Sequence, residues 1–147
     1  MTDFTMTKDS EGIATITWDC HGKSMNLMNM EGIQLLDCLI DDALADEDVK
    51  GIIITSGKKD FAGGMDLNVL ADMKASSGDN PAQGVFDGIM MMHTALRKIE
   101  LAGMDFKTKK GGKPTATVLP GTAMGIGLEL PMSCLLYTSD AADDRIC

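Results

Sequence analysis

The sequence predicts an α/β fold, and three observations carry that expectation. The chain opens on a segment of strict apolar/polar alternation, it contains two short β-branched runs bounded by glycine, lysine or proline, and the stretches between them repeat apolar residues at helical spacing. At 147 residues, 44% hydrophobic and 24% charged, the composition is that of an ordinary globular chain with room for one domain.

The alternation comes first. Around a Ser10-Glu11-Gly12 turn it sets Ile13, Thr15 and Thr17 on one face and Ala14, Ile16 and Trp18 on the other, which predicts a hairpin starting near Phe4. After a loop from Cys20 to Asn29, the residues Met30, Ile33, Leu36, Ile40, Ala43 and Leu44 fall on one helical stripe, with Asn29 as the expected N-cap. Gly51 to Ser56 and Thr115 to Leu119 suit strands buried on both faces. Between them the sequence predicts a short helix from about Asp66 to Lys74, a polar linker ending at Pro81, and a longer helix from about Gln83 to Leu101. Val85, Ile89, Met92, Leu96 and Ile99 are expected to face the core, and the Met90–Met92 run is read as core packing. Lys107, Lys109, Lys110 and Lys113 occupy a glycine-containing loop, where a solvated surface is favoured over contact with a phosphate.

Charge and cysteine usage narrow the function classes. A formal net charge of −9 argues against a broad nucleic-acid or anionic-membrane surface, which needs excess Lys and Arg. No apolar run approaches a membrane span, and the polar N-terminus gives no targeting signal, so a cytoplasmic protein is expected. Cys20, Cys38, Cys134 and Cys147 lack CxxC spacing and are expected to be reduced thiols. His21 and His93 have no acid or cysteine at ligand spacing, so no metal site is expected. Gly125-x-Gly127 is not a dinucleotide fingerprint, because Leu130 stands at the third glycine position, and no G-x-S-x-G elbow is present.

Two glycine-rich turns follow the two buried strands. In Phe61-Ala62-Gly63-Gly64-Met65-Asp66-Leu67 the glycines allow close backbone approach to a ligand, and Asp66 is better read as a cap of the following helix than as a catalyst. In Gly121-Thr122-Ala123-Met124-Gly125-Ile126-Gly127-Leu128-Glu129 a tight loop enters a helix, turns its first amides outward, and places a carboxylate one turn in.

The stretches IATITWD, GIIITSG, DFAGGMDL and KPTATVLPGTAMGIGLEL, in this order, resemble the crotonase (enoyl-CoA hydratase/isomerase) superfamily. They are especially similar to the hydratase part of multifunctional fatty-acid oxidation proteins, over residues 1 to about 133. The resemblance implies a crotonase-like β-β-α spiral, here its N-terminal portion only, truncated before the site is complete. It implies hydration of 2-enoyl-CoA thioesters in fatty-acid β-oxidation, with double-bond isomerisation or non-catalytic acyl-CoA binding as the alternatives.

By residue, the resemblance implies an oxyanion hole from the backbone amides of Met65 and Ile126, and Glu129 as the general base that deprotonates the added water. The second glutamate would lie roughly twenty residues after Glu129, beyond where the natural sequence stops. Lys23, Ser24, Met25 and Asn26 would line the coenzyme A nucleotide pocket. Ala62, Gly63, Gly64, Asp66, Leu67 and Gly125 complete the implied substrate-binding set. The chain departs from the pattern twice: Ile126 stands where glycine is usual, and Asn68 replaces a lysine often found two residues after the aspartate. Coenzyme A thioester would be substrate, with no cofactor, and NAD would enter only with a following dehydrogenase domain. The parent is expected to be a homo-oligomer or part of a multienzyme complex. The fragment by itself is expected to be inactive and, with edge strands uncovered, prone to aggregate. From Cys134 onward, CLLYTSDAADDRIC resembles translated sequencing-library adapter, so residues 134–147 are set aside as a non-native tail.

Overall fold

The computed structural model describes residues 2–75 and 78–139. Strands β1 (Phe4–Lys8) and β2 (Ile13–Trp18) form the expected hairpin, followed by α1 (Met30–Ala45), β3 (Gly51–Ser56), α2 (Asn68–Ala75), α3 (Pro81–Leu101), β4 (Thr115–Leu119), α4 (Ile126–Met132) and β5 (Leu136–Ser139). The five strands make one sheet in the order β1-β2-β3-β4-β5. Only β1 and β2 are antiparallel; β2–β3, β3–β4 and β4–β5 are parallel. The β5 strand lies in the segment that the sequence reading sets aside. Residues 140–147, including Cys147, lie outside the described residues.

The hairpin register pairs Phe4 with Trp18, and their rings stack at 5.2 Å. Ala14, Ile16 and Trp18 are the buried face of β2, as the alternation predicts. Against them pack Ile33, Leu36, Ile40 and Ala43 of α1, whose first turn is capped by Asn29 Oδ1 accepting from Gly32 N at 2.6 Å. No basic residue stands in the last turn of α1. Lys113 supplies the cation from a distant loop, donating from Nζ to the carbonyls of Ala43 at 2.8 Å and Asp46 at 2.6 Å. Lys107, Lys109 and Lys110 stay exposed, so this loop follows the favoured surface reading except for Lys113, which is half-buried.

Three expectations need correction. Helix α3 begins at Pro81, two residues early, because Asn80 accepts from Gln83 N and proline suits the first helical position. The Met90–Met92 run is not core throughout: Met92 packs against the core, while Met90, Met91 and Ile89 are exposed, as is Phe86. Only Gly88, Ala95 and Ile99 of α3 are buried, so its first half has an apolar side that no described element covers. The β4 strand is likewise buried on one face only, and Val118 on the other is 45% exposed.

Candidate functional site

Each glycine turn follows one of the adjacent parallel strands β3 and β4, so the sheet brings the two together at its carboxyl edge. The first turn is anchored by Phe61, fully buried with its ring edge-on to Trp18 at 5.9 Å. Its path is set by Asn26, whose side chain is wholly buried. Asn26 Oδ1 accepts from Cys20 N, and Nδ2 lies within 2.9 Å of the Trp18 carbonyl, the Ser56 hydroxyl and the Phe61 carbonyl. The Asn26 carbonyl accepts from Gly63 N. The sequence reading placed Asn26 in the nucleotide pocket. The structure spends its side chain on holding strand ends and loop together, out of reach of a ligand.

Past Gly64, whose φ of +101° only glycine adopts readily, the backbone meets the chain before α1. Met28 N donates to Gly64 O and Asp66 N donates to Met28 O, and the Met65 amide between them donates to no group among the described residues. Asp66 faces three donors, Lys23 Nζ at 2.9 Å, Asn68 N at 3.1 Å and Asn68 Nδ2 at 3.0 Å. The lysine first, then the Asn68 amide, hold its carboxyl below the usual range. Asp66 is therefore the helix cap that the sequence suggested, and it also draws Lys23 to the first turn. Met25 reaches Gly63, where a Cβ would lie 3.6 Å from its methyl group. Ser24 and Leu67 are more open, Leu67 at 81% exposure.

The second turn runs from Gly121 to the start of α4. Gly125 has φ +54°, and after it Gly127 N donates to Met124 O while Leu128 N and Glu129 N donate to Gly125 O. The Ile126 amide has no acceptor among the described residues. Its branched side chain, the departure noted in the sequence, is 6% exposed and points into the core, leaving the amide clear. The Glu129 side chain, one turn along α4, is exposed and carries no hydrogen bond in the described structure. Leu128 and Met132 flank it, both exposed.

The two turns are joined directly. Ala62 and Ala123 form a parallel bridge; Phe61 N and Ala62 N both donate to Thr122 O, and Met124 N donates to Ala62 O. A Cβ on Gly125 would lie 3.7 Å from Gly64 Cα, so the turns stay in van der Waals contact up to the two free amides. Gly127 sits against Ala62 closely enough that an added Cβ would fall 2.5 Å from the alanine methyl. The structure thus brings together Ala62, Gly63, Gly64, Met65, Gly125, Ile126 and, one turn on, Glu129. Lys23 and Asp66 lie at the other side of the first turn, beside a depression of about 380 Å³ lined by Asn29, Met30, Glu31, Asp66, Asn68 and Val69.

One residue at this junction was not singled out from sequence. Asp60 Oδ1 accepts from Thr122 N at 2.8 Å, and this amide is the main reason its carboxyl is held below the usual range. An aspartate before Phe-Ala-Gly-Gly reads as turn chemistry, and nothing in the one-dimensional pattern connects it to position 122. Among the described residues no group of three or more His, Cys, Asp or Glu is placed to hold a metal.

The chain has the crotonase fold. A solved enoyl-CoA hydratase/isomerase (crotonase) from Legionella pneumophila superposes with a TM-score of 0.77 at 18% identity, over 95% of this chain and 48% of that one. In sequence the chain is similar to the fatty acid oxidation complex subunit alpha of Shewanella oneidensis, 27% identical over 132 residues, which is 89% of this chain and 17% of that protein. The protein of the same name from Acinetobacter baumannii is 30% identical over 128 residues, 85% of this chain and 16% of its own length. The chain therefore spans about half the length of the solved structures and about one sixth of the curated relatives it matches. No family model matches it.

Proposed function

We propose that this chain carries the oxyanion and base portion of an enoyl-CoA hydratase site acting on 2-enoyl-CoA thioesters in fatty-acid oxidation. The observation that carries this reading is the pair of unpartnered amides, Met65 and Ile126, on two bridged glycine turns, with Glu129 one turn beyond the second. A thioester carbonyl seated there accepts from both amides. Glu129 takes a proton from water as its oxygen bonds to C3, and the electron pair displaced through C2 puts negative charge on the thioester oxygen facing the amides. Protonation at C2 completes the addition, and the reading assigns that acid to no residue of this chain. The curated relatives' name, fatty acid oxidation complex subunit alpha, supports this chemistry, with double-bond isomerisation and binding without turnover as the alternatives.

Several finer points belong to the same reading. Lys23, beside Asp66, is the cation available to a nucleotide phosphate, and Ser24, Met25 and Leu67 border that side. The parent protein works as a homo-oligomer or in a multienzyme complex in the cytoplasm, a proposal for which the relatives' name is the support; among the described residues no helix is long and apolar enough to cross a membrane. The segment from Cys134 is proposed as adapter-derived, which sequencing the source DNA through codon 134 tests directly.

The catalytic assignment is tested on the full-length protein that contains this sequence. Crotonyl-CoA loses its conjugated-enone absorbance on hydration, and Glu129→Gln should slow that loss by on the order of 10²–10⁴. An unchanged rate would remove Glu129 as the base, and absorbance that stays constant with the unsubstituted protein would leave a binding module.

A further inference from the structure

The two amides are useful only if they face one oxygen, so what fixes the distance between their turns matters as much as the amides. The Ala62–Ala123 bridge supplies backbone bonds at one point. A second tie lies on the strand side of that bridge. Asp60 Oδ1 accepts the Thr122 N–H at 2.8 Å, the one acceptor this amide has among the described residues.

The Asp60 backbone is itself held. Its carbonyl accepts from Ser56 Oγ at 2.9 Å, and Ser56 Oγ in turn lies 2.9 Å from Asn26 Nδ2, inside the buried polar cluster. The second turn comes so close at this point that a Cβ on Gly121 would fall 2.6 Å from both Asp60 Oδ1 and the Lys59 carbonyl. Only glycine, here at φ +60°, permits that approach. The carboxylate therefore fastens a turn that has no side chain of its own to pack at its entry.

We propose that Asp60 is a positioning residue of the oxyanion site, whose carboxylate holds the second glycine turn at the spacing from the first that lets the Met65 and Ile126 amides address one oxygen. Asp60 does not touch the substrate. It acts through Thr122, four residues before Ile126, across a segment whose next constraint is the Ala62–Ala123 bridge. This inference rests on the proposed hydratase reading for its chemistry but on the hydrogen bonds above for its geometry, and the two are tested separately.

The chemical test uses acetoacetyl-CoA with the full-length protein that contains this sequence. When this thioester binds an oxyanion site, its C2–H bond breaks, the proton passes to buffer, and the resulting enolate absorbs in the near ultraviolet. Asp60→Ala should lower the bound enolate fraction by on the order of 10- to 100-fold, because misplacement of about 1 Å has effects of that size. Affinity for free coenzyme A, measured in parallel, should not change. Asp60→Asn, which keeps an oxygen acceptor and loses the charge, should fall between. An enolate signal equal in Asp60→Ala and the unsubstituted chain overturns the proposal.

Amide NMR supplies the second readout. In either variant the Thr122, Met65 and Ile126 signals should shift together; movement of Thr122 alone overturns the proposal. If the unsubstituted full-length protein forms no enolate, the hydratase reading fails, and the amide signals still decide the role of Asp60. Should Asp60→Ala not fold, Asp60→Asn carries both measurements.

Discussion

The two halves of the chain treat their apolar residues differently. From β1 through β3 nearly every large side chain predicted to be inside is inside: Phe4, Ile16, Trp18, Leu36, Ile40, Ile52 and Ile54 are all essentially buried. From α3 onward Ile99, Leu119, Ile126 and Leu130 are still buried, but many residues of the same types stand in solvent, with Phe86, Met90, Val118, Leu128 and Met132 each more than two-fifths exposed. The difference is one of layers. Helix α1 covers the inner face of the hairpin and β3, whereas α2 meets the first half of α3 on its Gly88 side, through Met73, and leaves Phe86 and Met90 bare, and the outer face of β4 has no described element against it. A sheet or helix buries a face only if something packs on it. The candidate site lies at the join, with its first turn rooted in the closed half and its second turn in the open one.

An alanine scan of the aromatic residues is the strongest way to break that comparison. Trp18→Ala removes a ring stacked on Phe4 and edge-on to Phe61, and should cost about 3–5 kcal/mol in urea unfolding. Phe86→Ala, with 58% of the residue already exposed, should change stability by no more than about 0.5 kcal/mol. Equal losses at the two positions would mean that α3 is covered in solution and that the halves do not differ.

Gly127→Ala sharpens the comparison at the join. Its backbone is ordinary helix, so the effect is steric: the new methyl would fall 2.5 Å from the Ala62 methyl and 3.4 Å from the Ala62 carbonyl oxygen. Overpacking of this kind costs about 1–3 kcal/mol. The substitution should also shift the Ile126 amide signal, since α4 must move off the first turn. A stability loss with that amide unmoved would show that the first turn yields instead of the helix.

How much of this was legible in the sequence follows the same division. The hairpin faces, the α1 stripe with its Asn29 cap, and the bounds of β3 and β4 could be read because period and capping are local signals. The face of α3 could not, because spacing identifies a stripe without saying what covers it. The glycine turns were found as motifs. Their joining depends on β3 and β4 being neighbours, and the Asp60–Thr122 bond spans 62 residues, a separation that no spacing rule reports. Asn26 illustrates the opposite error: a polar residue in a ligand-lining loop reads as a contact, yet its burial turns it into a fastening.

Acid titration should separate the fastenings by smaller effects still. The carboxyls of Asp60 and Asp66 are both held below their usual range, the first chiefly by the Thr122 amide and the second chiefly by Lys23. A group whose folded pKa is depressed binds its proton more readily in the unfolded chain, so its contribution is present above the unfolded value of about 4 and is lost as pH falls through the folded value. Stability should therefore be level from about pH 5 upward with respect to these groups, and decline below about pH 4. Lys23, raised mainly by its bond to Asp66, gives the mirror effect, lost only as pH rises through its elevated value. Asp60→Asn should make the acid decline shallower without altering the alkaline side, whereas Asp66→Asn should change both, because it removes the partner of Lys23. Urea midpoints measured across pH for the two variants provide the check. Identical pH profiles for the two would mean that the ties on either side of the first turn are not independent.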